Sequence, residues 1–145
     1  MEEVQVDILS RQCNTLISLC RVAREKQRAI LSGAIDDLLE LVAQEERLAE
    51  TLEKNEEERA SLPGGALTLQ EMEQRFPGSK LLEEGRKMAQ LCIELQEINT
   101  ANEQLLASAL AYVDFSLRAL MGEGDQKGTY SGQGPRGGAW LDTRA

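Results

Sequence analysis

The sequence contains no histidine, and aromatic residues make up only 3% of its 145 positions. Without histidine the chain lacks the most common general base and metal ligand, and it has no side chain that normally titrates near neutral pH. The scarcity of aromatic residues disfavours β-sheet, because strands are enriched in aromatic and β-branched side chains. These absences weigh against an enzyme and against a sheet protein. We predict no catalytic residue, no metal site and no cofactor.

Cysteine is also scarce, since only Cys13, Cys20 and Cys92 are present and no two of them form a Cys-x-x-Cys pair. Their odd number and wide spacing indicate neither a disulfide framework nor a thiolate metal site. The first ten residues, MEEVQVDILS, lack the basic and apolar regions of a secretory signal. We therefore expect reduced thiols and a cytoplasmic protein.

Basic residues are few, because 16 Lys and Arg stand against 25 Asp and Glu and give a formal net charge of −9. Such a surface does not suit nucleic acid, whose phosphates need a basic partner. The apolar stretch over residues 105–121 includes Asp114 and Arg118, which are costly inside a lipid bilayer, and it is short for a spanning helix. We therefore expect no nucleic-acid binding and no membrane insertion.

Apolar residues recur at alternating gaps of three and four along most of the chain, which is the period of one face of an α-helix. This period predicts two long helices over residues 4–31 and 34–61, a short helix over 69–75 and a third long helix over 80–121. Their order predicts an all-α fold, in which an antiparallel helical hairpin packs on the long third helix as a coiled-coil-like bundle. Residues 1–121 would form this one domain.

Short turn signals separate the predicted helices. Gly33 interrupts the first helical period, and Pro63 begins a Pro-Gly-Gly loop that cannot continue a helix. Thr68 and Glu71 match the capping box of a helix start, and Ser79 can cap the last helix. Each signal lies between two predicted helices, so the turns agree with the helical period.

Residues 122–145 contain seven glycines and only a few apolar side chains. A segment of this composition cannot bury a core, and we expect it to be a disordered, Gly-rich tail. Tyr130 and the only tryptophan, Trp140, lie in it. An isolated aromatic residue in such a tail is either a short docking motif or an incidental exposed side chain, and both interpretations stay open.

The third long helix is longer than its predicted partners. At 1.5 Å per residue it extends about 63 Å, whereas each helix of the hairpin extends about 42 Å. The hairpin can therefore cover about the first two thirds of it. The last third carries apolar residues in nearly every direction around the axis, and a helix that is apolar all round needs burial on more than one side. We predict that this third binds another protein.

The candidate binding residues of this last third share uncharged side chains. They are Leu105, Leu106, Ala109, Leu110, Tyr112, Val113, Phe115, Leu117, Leu120 and Met121. Two alternatives stay open for this surface. Either the short helix of Thr68 to Arg75, or a bent hairpin, folds over this end and makes it ordinary core, or two copies of the chain associate through it.

Asn99 and Asn102 occupy positions in the helical period where leucine or isoleucine is expected. An unpaired amide buried at such a position costs stability, but it can fix the register of packed helices. Both residues lie where the packed part of the third helix gives way to the apolar end, and we include them among the candidate binding residues. Their amides have two open roles, which are to set the register or to hydrogen bond directly to a bound helix.

The order of these features resembles the FlgN-type flagellar export chaperones. The resemblance rests on a long helical hairpin, a short linker element and a long last helix with the pattern N-x-x-N-x-x-L-L, here Asn99, Asn102, Leu105 and Leu106. It continues through the apolar C-terminal half of that helix into a tail that has a tyrosine among glycines, here residues 129–134.

This resemblance implies a small acidic cytosolic chaperone of the flagellar type III secretion pathway. Its clients would be the hook-filament junction proteins, also called hook-associated proteins, whose C-terminal helical region it would cover before export. The resemblance also implies delivery to the export gate and ATPase, with Tyr130 as the candidate docking residue. The alternative function is a structural or regulatory coiled-coil adaptor that acts as a homo-oligomer without export clients.

Overall fold

In the computed structural model the described part of the chain is residues 2–122, and this part consists of four α-helices without a strand. The helices are α1 (Glu2–Ser32), α2 (Ile35–Ala60), α3 (Leu69–Arg75) and α4 (Lys80–Met121). The predicted all-α fold is confirmed. Each helix begins and ends within two residues of its predicted limits.

The turns use the residues that the sequence offers for them. Gly33 adopts a φ of +71°, a left-handed conformation that glycine tolerates without strain, and it allows α2 to reverse direction. At the start of α3 the Thr68 hydroxyl accepts a hydrogen bond from the Glu71 backbone N–H, and the Glu71 carboxylate accepts one from the Thr68 N–H. The Ser79 hydroxyl caps α4 by accepting from the Leu82 N–H at 3.2 Å.

α1 is the central helix of the bundle, because it packs against both α2 and α4, while α2 and α4 have at most a marginal contact with each other. α2 runs antiparallel to α1. The ion pairs across this interface show the direction, since Arg11 near the start of α1 meets Glu58, and Lys26 near its end meets Glu45.

α4 runs parallel to α1. The Cys13 thiol lies 3.7 Å from the Glu84 carbonyl oxygen. Seven residues later on both helices, the Cys20 thiol lies 3.8 Å from the Leu91 carbonyl oxygen. The three long helices therefore alternate in direction, and α4 starts at the end of the bundle where α1 starts. Because α1 has a partner on two sides, it buries a broad face that includes Ile8, Leu9, Leu16 and Val22.

α3 packs on the first turns of α4, at the end of the bundle where α1 begins. Its Met72 joins Leu9, Leu67, Leu81 and Leu82 in an apolar cluster. Gly85 permits the close approach, since a Cβ atom at that position would lie 2.7 Å from the Met72 sulfur. The alternative in which the short helix covers the C-terminal end of the long helix is therefore wrong, because α3 lies at the opposite end of α4.

A buried ion pair joins α1 to α2. The Lys26 ammonium donates to a Glu45 carboxylate oxygen at 2.9 Å, and the two side chains are only 4% and 5% exposed. Removing two charges from water costs several kcal/mol for each ion, and their attraction offsets this cost only while both partners are present. The pair therefore penalises any other register of α1 against α2.

A second polar cluster secures the loop between α2 and α3. The Glu56 carboxylate accepts hydrogen bonds from Gln12 at 2.7 Å and from Arg59 at 2.9 and 3.1 Å, and Arg59 also donates to the Leu67 carbonyl. Burial opposes ionisation of Glu56, but the hydrogen bonds from Arg59 and Gln12 outweigh it and lower the pKa of Glu56. This contribution to stability is present above the usual glutamate pKa and is lost as the pH falls through the lowered pKa.

The buried ion pair gives a stability prediction. Lys26→Met should lower the free energy of unfolding by about 3–5 kcal/mol, because it leaves the Glu45 carboxylate buried without a partner. The double variant Lys26→Met/Glu45→Met should recover most of this loss or exceed the parent, since no buried charge remains. Urea unfolding followed by circular dichroism measures both. A single variant as stable as the parent would contradict the assigned role.

Candidate protein-binding surface

The C-terminal end of α4 extends past the helix on which it packs. α4 has 42 residues and α1 has 31, so their lengths are about 63 and 46 Å. The two helices are aligned by a hydrogen bond between Asn102 and the Ala23 carbonyl. Beyond this bond α1 continues for about 14 Å to Ser32, whereas α4 continues for about 28 Å to Met121. α4 therefore passes the end of α1 by about 14 Å, which is about its last nine or ten residues. We call the whole apolar end of α4, residues 105–121, the overhang.

No residue from 103 to 122 is buried, which is the expected result for a helix end that no other helix of residues 2–122 encloses. The exposed fractions reach 71% for Tyr112, 69% for Phe115 and 83% for Leu120. Of the candidate residues, Ala109, Leu110, Tyr112, Val113, Phe115, Leu120 and Met121 are exposed, and Leu105, Leu106 and Leu117 are half-buried. The structure therefore keeps these residues together on an open surface, and their role in binding stays a prediction.

The overhang has no net charge on its exposed faces. Its two charged residues, Asp114 and Arg118, form an ion pair with each other at 2.9 Å, one helical turn apart. The remaining side chains of the overhang are apolar or small. A patch with this many exposed apolar side chains is uncommon on a protein that acts alone, and it indicates a binding site for another protein.

Asn99 and Asn102 are the last buried residues of α4. The Asn102 amide nitrogen donates to the Ala23 carbonyl oxygen at 2.9 Å, so this side chain is used within the molecule and supports the register role. The Asn99 amide oxygen has no hydrogen-bond partner within residues 2–122. The Asn102 amide oxygen also lacks a partner within residues 2–122, so the two asparagines differ in that only Asn102 is held to α1 through its amide nitrogen.

Three further exposed apolar residues lie at the tip of the α1–α2 hairpin, and the sequence analysis did not include them. They are Leu31, Ile35 and Leu39, with exposed fractions of 69%, 66% and 61%. This tip points to the same end of the bundle as the overhang, because α1 and α4 are parallel. Leu31 and Ile35 flank the turn at Gly33 and lie outside the helical period of the core, which is the signal that could have identified them.

The described residues show neither a metal-binding cluster nor an activated thiol. Among residues 2–122 no group of three or more His, Cys, Asp or Glu side chains could hold a metal ion. Burial, with a smaller contribution from Glu84, raises the pKa of Cys13 to about 11, and burial also raises the pKa values of Cys20 and Cys92. The three thiols are therefore mostly protonated near neutral pH, and Cys92, which is exposed where Cys13 and Cys20 are buried, is the one that a strong electrophile can reach. No helix within residues 2–122 is both long and apolar enough to cross a membrane.

Tyr130 and Trp140 lie outside the described residues, as does all of the expected tail after Gly122. The prediction that Tyr130 is a docking residue and the prediction of a disordered tail therefore stay predictions.

Comparison with known proteins places the chain in a family. A family model described as FlgN protein matches residues 1–136, which is nearly the whole chain. Neither a curated protein nor a solved structure matches it. FlgN is a family of chaperones and not of enzymes, and its members bind flagellar substrate proteins. The resemblance drawn from the sequence is thereby confirmed: the chain belongs to the FlgN family of flagellar export chaperones.

Proposed function

We propose that the protein is a cytoplasmic chaperone that binds the C-terminal helical region of hook-associated proteins through the overhang. It prevents their premature assembly and delivers them to the flagellar export apparatus. The observation that carries this proposal is the apolar surface of residues 105–121, none of which is buried. The family match supports the general class of function, and the overhang supports the mode of binding.

A helix is the partner that suits this surface best. The end of α4 exposes apolar side chains over several turns, and an amphipathic helix can pack its own apolar face against them. The client's helical end would otherwise expose that face in the cytoplasm, where it could associate with other copies too early. Covering it on the overhang removes both apolar surfaces from water at once.

The expected binding free energy fits a chaperone that must release its client. The proposed central anchors are Leu106, Leu110, Val113, Leu117 and Leu120. Four or five buried side chains of this size contribute about 6–15 kcal/mol, at roughly 1.5–3 kcal/mol each. Association costs about 4–15 kcal/mol in lost freedom of motion and ordering. The two terms are similar in size, so binding is tight enough to hold a client and remains reversible.

Delivery to the export gate and ATPase is assigned to the segment that follows the overhang. Tyr130 lies eight residues after Gly122, so the proposed docking residue follows the proposed client surface directly in the chain. An aromatic side chain in a short peptide can anchor such docking by filling a pocket on the partner. Client binding and delivery would thus use adjacent but separate parts of the protein.

The same exposed surface also favours the alternative of a homo-oligomeric adaptor, because an apolar overhang can pair with its own copy. Sedimentation of the purified protein with a C-terminal fragment of a hook-associated protein separates the two functions. A stoichiometric heterodimer supports the chaperone, including one that self-associates when free. A stable oligomer that does not accept the fragment supports the adaptor and contradicts the proposal.

Charges placed on the overhang should abolish client capture. Leu110→Asp combined with Leu117→Asp puts two carboxylates where apolar contacts are proposed, and we expect at least a 100-fold loss of affinity in a calorimetric titration. The fold should persist, since Leu110 is exposed and Leu117 half-buried. Gln90→Asp with Gln104→Asp is the matched control, because it adds the same charge at exposed positions of α4. Unchanged binding by the overhang variant would refute the assignment.

Removing residues 128–145 should spare client binding and impair delivery, because Tyr130 is lost while the overhang is kept. A titration with the client fragment measures the first effect, and secretion of the client from cells measures the second. Tyr130→Ala in the full chain should reproduce the secretion defect. A loss of client affinity in the truncated protein would be inconsistent with the separation of the two roles.

A further inference from the structure

One face of α4 is covered by a helix at its start and is open farther along. Where α3 packs, Leu82 and Gly85 are buried. The next positions of the same helical period, Met88, Cys92 and Leu95, are only half-buried or exposed. They lie beside the rest of the bundle and before the overhang, so their exposure does not come from the extra length of α4.

On the opposite side of this open region lies Leu52 of α2, which is also only half-buried. The α4 side of the lining combines Cys92 and Leu95 with the polar residues Gln96, Asn99, Thr100 and Glu103. Between the two sides is a groove of about 390 Å³, in which Leu16 of α1 forms part of the lining. A three-helix bundle in which α2 and α4 hardly touch leaves such a groove along the central helix.

The groove contains a buried polar atom without a partner. Asn99 lines the groove, is 8% exposed, and its amide oxygen accepts no hydrogen bond within residues 2–122. A buried acceptor without a donor is costly, so native proteins rarely keep one unless water or another molecule satisfies it. The Asn102 amide oxygen also lacks a donor within residues 2–122, but Asn102 does not line the groove and its amide nitrogen is bound to α1.

We propose that this groove binds a client helix. The same client helix also covers the overhang and becomes the fourth long helix of the bundle. The proposal rests on the proposed function and adds a second binding region to it. α3 shows that this face of α4 accepts a helix, because Met72 fits closely over Gly85 at one end of it. The open part of the face follows directly and runs into Leu106 and Leu110 of the overhang by helical spacing.

The groove and overhang together define the chemistry of the occupant. The distance from Cys92 to Met121 along α4 is about 44 Å, which corresponds to a client helix of about 30 residues. One face of that helix must be apolar, with a hydrogen-bond donor opposite Asn99. Its edges should be basic, because residues 36–59 of α2 contain ten acids and three bases. An exported helix with these features fits better than a second copy of this acidic chain, whose charges would repel.

Alkylation of Cys92 tests this proposal directly. Cys92 lines the groove and is exposed, whereas Cys13 and Cys20 are buried. The probe is the C-terminal fragment of a hook-associated protein, and the readout is the rate at which a maleimide modifies Cys92, followed by mass spectrometry. We expect saturating fragment to slow this reaction at least tenfold. We also expect protein that is already modified at Cys92 to bind the fragment at least tenfold more weakly.

The matched control is Cys92→Ser combined with Glu97→Cys. Position 97 is exposed and lies about 140° around α4 from position 92, away from the groove. Modification there should not respond to the fragment and should not weaken binding. Circular dichroism of each modified protein shows whether the helices are intact.

The outcomes separate this proposal from the proposed function. If the fragment binds and the overhang variant abolishes binding, but Cys92 reacts at an unchanged rate, the client uses the overhang alone and the groove proposal fails. If no fragment binds the intact chain, both fail. If Cys92 is already protected in the free protein, and dilution or removal of residues 123–145 restores its reactivity, then a second copy or the chain's own C-terminal segment is the occupant and the groove proposal is overturned.

Discussion

The parallel packing of α4 on α1 in one register is the constraint on which the rest of the structure depends. α1 carries the contacts with both other long helices, so its length decides how much of each can be covered. The hydrogen bond from Asn102 to the Ala23 carbonyl fixes where α4 lies along it. Once that alignment is set, an α1 that ends at Ser32 leaves the end of α4 exposed, whatever its composition. A shift of one turn would change the exposed length by about 5 Å and would break this bond.

Much of the fold could be predicted because local signals and helical period agreed. The turn at Gly33, the capping box of Thr68 and Glu71, and the Ser79 cap are short-range features, and each depends only on a few adjacent residues. The exposure of the overhang followed from helix lengths alone. The family could also be identified from the order of these elements together with the spacing of Asn99, Asn102, Leu105 and Leu106.

Other features could not be predicted, because they depend on which helices meet in space. The position of α3 at the start of α4 is set by the fit of Met72 over Gly85, and no sequence period encodes a contact between different helices. The burial of Lys26 beside Glu45 is a further case, since a lysine near other basic residues is typical of a solvated helix surface. Cys92 shows the reverse difference: its place in the helical period predicts burial, but no other helix of residues 2–122 covers it and it is exposed.

The polar groups in the interior are distributed unequally between the two faces of α1. Toward α2, Lys26 and Gln12 have charged partners that hold the hairpin in one arrangement. Toward the groove, Asn99 keeps an acceptor without a donor. Gln12 and Glu45 also each keep one side-chain oxygen without a donor within residues 2–122, so unpartnered acceptors occur on both sides of α1, and that of Asn99 belongs to the open groove. An unpartnered buried acceptor lowers the stability of the free protein, and a bound helix that donates a hydrogen bond to Asn99 would restore that stability.

The alternation of helix directions has an electrostatic consequence for whatever lies beside α4. Each helix carries a macrodipole, positive at its N-terminus and negative at its C-terminus, so the parallel dipoles of α1 and α4 point the same way and only that of α2 opposes them. An added helix running in the direction of α2 would balance the set and complete an up-down-up-down bundle. Its positive N-terminal end would then lie next to the negative C-terminal end of α4 at Met121. The unequal number of helices in the two directions therefore favours a client helix that runs antiparallel to α4.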